Sequence, residues 1–322
     1  MEQLQTKQEI AQTSIPQVQQ LSKEQSLPPQ RKLPEKIYRS RIEGIAPLIC
    51  KDSINLEPNP ILVRTVPYQW TFDEQAGDSI VVVPAGGTVS RVMTNDYAGP
   101  VMVKYLMGLA TNQNLLINIL DNQYGSYMMN QPIYYGTIIG TGNFPFELSD
   151  YLFVTRSQIL RYDLTDLSLA PNTVRLVNDS FRLYFPAEET LFNRLSEANK
   201  ISRNYFYTTD QQVTLVVSAA IQSFFITFIN VADFMWNRTT FISDGAFRAR
   251  IVNVATGITY TNGWIHSSMF GGNAQNYKDF EAMFICRGSQ LRIDFVNLSL
   301  LPNRVFLTLT GMNYYYDRRS QV

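Results

Sequence analysis

The chain has 322 residues, of which 45% are hydrophobic, 12% aromatic and only 17% charged, and its 27 basic and 27 acidic residues give a formal net charge of +0. That length can bury two cores, and the balance excludes a dedicated nucleic-acid binder or electrostatic docking on anionic lipid, both of which need excess Lys and Arg. No run of about 18 apolar residues exists, so no transmembrane helix is expected, and Met1-Glu-Gln-Leu-Gln-Thr-Lys-Gln8 lacks the apolar centre of a secretory signal.

In chain order, residues 1–44 form an extended N-terminal arm. Gln recurs from Gln3 to Gln30, and Pro16, Pro28, Pro29 and Pro34 interrupt it. Such a segment cannot bury enough apolar surface to offset its ordering entropy, so alone it should be disordered. Arg31, Lys32, Lys36, Arg39 and Arg41 make a basic cluster in it. The cluster reads either as a contact to a neighbouring subunit, with nucleic acid as a lesser option, or as a solvated tail.

Residues 45–185 are expected to form a first β-sandwich. Ile61–Val66 supplies an edge strand beside Pro58 and Pro60, since edges tolerate Pro. Short β-branched runs follow at Ser79–Val83, Thr88–Met93, Val101–Met107, Leu115–Leu120, Tyr127–Tyr135, Tyr151–Val154, Ile159–Thr165, Thr173–Val177 and Phe181–Phe185. Many short strands without helical periods between them predict an antiparallel sandwich or jelly roll. Residues 186–204 predict one connecting helix: Pro186 starts it, Glu188 and Glu189 sit in its first turn, and Leu191, Leu195 and Ala198 form a stripe. Residues 205–322 form the second sandwich, with strands at Val213–Ile221, Phe224–Val231 and Phe247–Val252.

The two halves repeat. Asp294-Phe-Val-Asn-Leu-Ser-Leu-Leu-Pro-Asn-Arg-Val-Phe-Leu307 matches Asp163-Leu-Thr-Asp-Leu-Ser-Leu-Ala-Pro-Asn-Thr-Val-Arg-Leu176 at eight of 14 positions, 131 residues apart. Unrelated sequences would share about one. The same offset pairs Leu160 with Leu291 and Ser180 with Gly311, and an offset of 132 makes Gly257 the counterpart of Gly125 and Asn262 that of Asn130. A period this long is a duplicated domain, since solenoid units run about 20–50 residues. Within each copy, Leu160, Tyr162 and Leu164, or Leu291, Ile293 and Phe295, alternate with polar residues and define an inward strand face. Arg161 with Asp163 and Arg292 with Asp294 fall on the other face, as solvated pairs. Ser-Leu-x-Pro-Asn then reads as a turn, and Val305, Leu307 and Leu309 face one way on the strand beyond it.

The sequence offers little chemistry. His266 is the single histidine, and Cys50 and Cys286 are far apart, so neither a usual zinc ligand set nor a disulfide framework is expected; both thiols read as buried or idle, Cys286 within a strand. No Gly-x-Ser-x-Gly elbow or Walker loop is present. Asp121, Asp163, Asp279 and Asp294 are candidates for a glycosidase pair, without a spacing that selects two. Tyr124, Tyr127, Tyr134 and Tyr135 could stack on sugars or serve as sheet packing. No catalytic residue, cofactor or metal is assigned.

The repeated D-[LF]-x-[DN]-L-S-L-x-P-N-x-V-x-L segments, with Val305-Phe-Leu-Thr-Leu-Thr-Gly-Met-Asn-Tyr314, resemble virion structural proteins of bacteriophages and related double-stranded DNA viruses. Two tandem sandwiches behind an arm also look like the plan of double-jelly-roll capsid proteins. The resemblance implies an all-β, non-enzymatic capsid or capsid-associated protein located in the virion and made in the host cytoplasm. It implies partners that are other copies of the chain and other virion proteins, with nucleic acid reached only through the basic arm. The alternative is a carbohydrate-binding or glycan-cleaving sandwich, an adhesin or tail depolymerase component.

Overall fold

The computed structural model describes residues 64–72, 80–96, 99–184, 202–209, 213–217, 220–229 and 231–315. The predicted arm with its basic cluster, Cys50 and residues 186–201 of the predicted connector lie outside the described residues. The described residues all belong to the compact unit Ser53–Val322.

The chain is all-β. In the first sandwich one sheet has the order β1 (Arg64–Thr71), β10 (Asn172–Tyr184), β4 (Val101–Ala110), β8 (Phe146–Val154), with β2 (Ile80–Val83) also on β10. The facing sheet has the order β3 (Thr88–Thr94), β9 (Ile159–Asp166), β5 (Leu115–Asp121), β6 (Ser126–Tyr127), with β7 (Ile133–Tyr134) also on β5. From β2 to β5 and again from β7 to β10 successive strands alternate between the sheets, the path of a jelly roll. A helical turn, α1 (Tyr135–Ile138), follows β7.

The second half repeats this order. β11 (Ser202–Thr208), β19 (Asn303–Tyr315), β14 (Ala232–Ser243) and β17 (Asp279–Ile285) form one sheet, with β12 (Val213–Leu215) on β19. β13 (Gln222–Thr227), β18 (Gln290–Asn297), β15 (Phe247–Asn253) and β16 (Ile265–His266) form the other. A single bridge, Val252 to Thr259, stands where β6 stands in the first half, and α2 (Ser267–Phe270) follows β16 as α1 follows β7. Gly125 and Gly257 both adopt positive φ, 59° and 68°, a turn conformation that penalises any Cβ.

Alternation built both cores. Leu160, Tyr162 and Leu164 pack between the first pair of sheets with Met93, Leu115, Ile117 and Leu176. Leu291, Ile293 and Phe295 do the same in the second, with Val305, Leu307 and Leu309 opposite. Rings dominate there: Phe247 and Phe295 meet edge-on at 5.4 Å, and Tyr207 and Phe234 at 4.8 Å. Such pairs contribute about 0.5–1.5 kcal/mol beyond burial.

The repeated segment has a more specific task than a turn. Asp166 Oδ2 accepts from the backbone N–H groups of Ser168 and Gly86, at 3.0 and 3.2 Å. Asn297 Oδ1 likewise accepts from Ser299 N–H at 2.9 Å. The Asn after the Pro is not in the bend but at the start of the next strand, fully buried. Asn172 accepts from Asn112 N–H at 3.1 Å and donates to its carbonyl at 2.6 Å. Asn303 does both with Gly245, each at 2.9 Å. One amide thus staples the β4–β5 or β14–β15 connection in each half.

Several expected boundaries move. Tyr127–Tyr135 is not one strand: it divides into β6, β7 and the start of α1. Among the described residues of Val213–Ile221, only β12 is strand. Thr173–Val177 and Phe181–Phe185 merge into β10, whose register shift at Asp179/Ser180 absorbs the irregularity. β11 begins at Ser202, so residues 202–204 of the predicted connector are strand, held by pairing with Met312–Tyr314. Cys286 lies just past β17 and is exposed, because its strand has ended.

Candidate assembly surface

The outer face of the β11–β19–β14–β17 sheet is where the two sandwiches meet. Residues 128–131 of the first sandwich run along the free edge of β11. Phe206 N–H donates to the Met128 carbonyl at 2.9 Å, and Asn130 N–H donates back to the Phe206 carbonyl at 3.2 Å. The Asn130 side chain then clamps Thr208: its amide donates to the carbonyl at 2.9 Å and its Oδ1 accepts from the N–H at 3.0 Å. An open strand edge is thereby satisfied.

β7 and α1 lie across the sheet face itself. Tyr134 stacks on Phe306 with ring centroids 3.9 Å apart. The Thr137 and Thr308 hydroxyls share a hydrogen bond of 2.9 Å. Gly136 sits against Ile242, so close that a Cβ would fall 2.5 Å from its Cδ1. This contact is what makes Phe306, Thr308 and Thr310 buried although they point away from the core of their own sandwich.

Arg238 is the charged centre of the contact. Ala232, Phe234 and Trp236 of β14 face the core in alternation, and unbroken alternation would send Arg238 there as well. A bulge between Trp236 and Arg238 reverses the phase. β4 carries its counterpart between Val103 and Tyr105. Arg238 therefore points at the first sandwich with its side chain only 2% exposed. Its Nε bonds Asp279 Oδ1 at 2.6 Å, and one Nη donates to the Glu147 carbonyl across the interface. Its guanidinium lies 3.8 Å from the Tyr277 ring centroid and 5.0 Å from that of Phe146. Ser149 to Asn237 (3.0 Å) and Asn204 to the Asp150 carbonyl (2.7 Å) extend the contact.

The residues singled out for chemistry do not converge. Asp163 bonds Ser90, Arg161 and Tyr127. Asp279 is the partner of Arg238. Asp294 is not a solvated residue: it is buried among Ser223, Arg250 and Arg292, and these three outweigh burial to hold its pKa below the usual carboxylate range. Asp121 is buried, which pushes its pKa up to about 6 against the pull of Gln123 N–H and Arg203. It lines a crevice with Tyr127, Tyr151, Arg203, Tyr205 and Tyr315 that has room for about one water molecule. Tyr134 and Tyr135 are buried packing residues, so the four tyrosines form no stacking platform; Arg203 covers Tyr124 at 3.4 Å. His266 is exposed, and its Nδ1 accepts from Ser268 N–H at the start of α2. Among the described residues no group of three or more His, Cys, Asp or Glu is placed to hold a metal, and no helix is long and apolar enough to cross a membrane.

No protein-family model and no curated protein matches the chain. Among solved structures, T=1 particles derived from infectious bursal virus align over 84% of this chain at 7% identity and a TM-score of 0.21. The chain spans 46% of that protein's length. A subviral particle of infectious bursal disease virus aligns over 89% of this chain and 88% of its own, at 11% identity and a TM-score of 0.18. A tandem CBM22 domain from Paenibacillus barcinonensis covers 76% of this chain and 96% of its own, at 8% identity and a TM-score of 0.16. Scores this low define no shared fold, and the architecture rests on the strand order described above.

Proposed function

We propose that the chain is a non-enzymatic virion structural protein of a bacteriophage or related virus, capsid or capsid-associated. In this reading a single sandwich was copied and both copies serve as building blocks. The observation that carries it is the corresponding strand order of two jelly rolls packed side by side through an extensive, hydrogen-bonded face. Duplicated blocks that already fit one another are suited to repeating the fit between subunits, and closed symmetric assembly would hide the apolar side chains left exposed. The arm, through Arg31, Lys32, Lys36, Arg39 and Arg41, would extend over a neighbouring copy or another virion protein, and nucleic acid would be reached only there. The protein would be made in the host cytoplasm and reside in the virion. A glycan-binding role loses its motivation with Tyr134 and Tyr135 buried.

Light scattering and negative-stain imaging of the purified chain, with and without residues 1–44, test the proposal. Discrete assemblies well above the 36.8 kDa of one chain are expected. A monomer in both forms at high concentration refutes it.

A further inference from the structure

The two halves of the chain have diverged on one face. On the outer side of the sheet that carries β5, the first sandwich is uncharged at Leu116, Asn118 and Tyr134, and Leu116 and Tyr134 are covered there by Phe306 and Ile242. The corresponding positions of the second sandwich hold Arg248, Arg250 and His266. We infer that this face of the second sandwich, centred on Arg248 and Arg250, binds an extended acidic peptide of another protein. Such a site needs only a single chain and stands apart from the assembly role above.

Register fixes the correspondence. Asn118 lies opposite Asp163 and Tyr134 opposite Leu116; Arg250 lies opposite Asp294 and His266 opposite Arg248. Phe247, Ala249 and Ile251 fill the core, so alternation turns Arg248 and Arg250 outward. Arg292 joins them from β18. Across β13, β18, β15 and β16 three arginines stand against the single carboxylate of Asp294, which leaves two positive charges uncompensated (three minus one).

That carboxylate holds two of the arginines in place. Asp294 Oδ1 accepts from the Ser223 hydroxyl at 2.6 Å, and Oδ2 accepts from Arg250 Nη and Nε at 2.7 and 3.2 Å. Arg292 Nε lies 3.0 Å from Oδ1. Asp294 is buried, whereas the side chains of Arg250 and Arg292 stay 33% and 38% exposed, so both heads are fixed and still open to a ligand. Arg248 is exposed and has no ion-pair partner among the described residues. Beside it, His266 Nδ1 accepts from Ser268 N–H, which puts the proton of the neutral ring on Nε2 and makes that nitrogen a donor.

The ligand class follows from chemistry and spacing. A guanidinium fork matches a carboxylate with two parallel hydrogen bonds. Arg248 and Arg250 are two residues apart on one strand, about 6.5–7 Å, and an extended peptide presents alternate side chains at that same pitch. Two uncompensated charges are few for nucleic acid, whose binding rests on neutralising many phosphates. A sugar would need an open aromatic ring, and Arg250 already lies over Trp264, 5.1 Å from its centroid.

Fluorescence anisotropy of a fluorescein-labelled peptide of alternating Glu and Thr, titrated with the full chain, tests the site. Wild type should bind it at least about 10-fold more tightly than a peptide with the same number of glutamates at every third position, whose successive carboxylates fall on opposite faces of an extended chain. Arg248→Ser should weaken binding at least about 10-fold and leave the melting temperature unchanged, because Arg248 has no ion pair within the described residues to lose. Arg248→Lys should recover part of that loss, and Arg175→Ser, at an exposed arginine of β10, should have no effect. Equal affinity for the two peptides, or binding of neither, overturns the proposal. So does a loss under about twofold in Arg248→Ser, since the peptide would then be held by another basic segment such as Arg31–Arg41. Tighter Arg248-dependent binding of a heparin fragment or a single-stranded oligonucleotide than of the alternating peptide also overturns it, by making the face a site for a different polyanion.

Discussion

Replacing Arg238 with Ala removes the charged centre of the contact between sandwiches, and the cost can be estimated from its partners. The ion pair contributes little, because Asp279 is 51% exposed and can be rehydrated. The bond to the buried Glu147 carbonyl matters more: a hydrogen bond from a charged donor contributes about 1.5–3 kcal/mol. The guanidinium over Tyr277 and Phe146 adds about 1 kcal/mol for each ring, and truncation opens a void beneath them. Together these put Arg238→Ala near 4 kcal/mol of destabilisation. Arg238→Met fills the same space and keeps the ring contacts apolar, so about 2 kcal/mol is expected. Urea denaturation of the full chain, followed by far-UV circular dichroism and Trp fluorescence, measures both. An Arg238→Ala loss under about 1 kcal/mol, or a larger loss for Met than for Ala, would refute the reasoning.

A double-mutant cycle of Tyr134→Ala and Phe306→Ala should give a coupling of about 1 kcal/mol for their stack; additive losses would show that the rings do not meet. Asp121→Asn tests a titration. Burial raises the folded pKa to about 6, so the neutral acid contributes stability that is present below the unfolded value near 3.8 and lost as pH rises through about 6. The Asn variant should therefore match wild type at pH 4 and exceed it by up to about 3 kcal/mol at pH 8; a constant difference across that range contradicts the assignment. Asn172→Ala and Asn303→Ala should each cost about 2–3 kcal/mol in thermal melts, because each removes two hydrogen bonds made by a fully buried side chain. A loss under 0.5 kcal/mol at either site would show that water replaces the staple.

What the sequence disclosed was whatever follows from local periodicity. Leu160, Tyr162 and Leu164 alternate, so their inward face could be read directly, and the 131-residue offset pointed to like halves, whose strand orders correspond. What it hid depends on neighbours distant in the chain. Tyr134 and Tyr135 look like one strand, yet one ring stacks on Phe306 and the other fills its own core, and α1 turns between them. Arg292 and Asp294 look like an exposed pair until Ser223 and Arg250 arrive from adjacent strands. Arg238 sits in phase with core residues, and only a bulge, which leaves no mark in composition, brings it to Glu147. The Asn of the Pro-Asn dipeptide was assigned to the bend, since its partner at Asn112 or Gly245 lies 58 to 60 residues away.

The clamp of residues 128–131 on β11 also sets an order of events during synthesis. Translation runs from the N-terminus, so Asn130 leaves the ribosome 76 residues before Phe206. The first core is nonetheless completed by Phe206 of β11 and by Ala274, both made later. The clamp on the β11 edge and the closing of that core are therefore one event, available only once β11 has been synthesised.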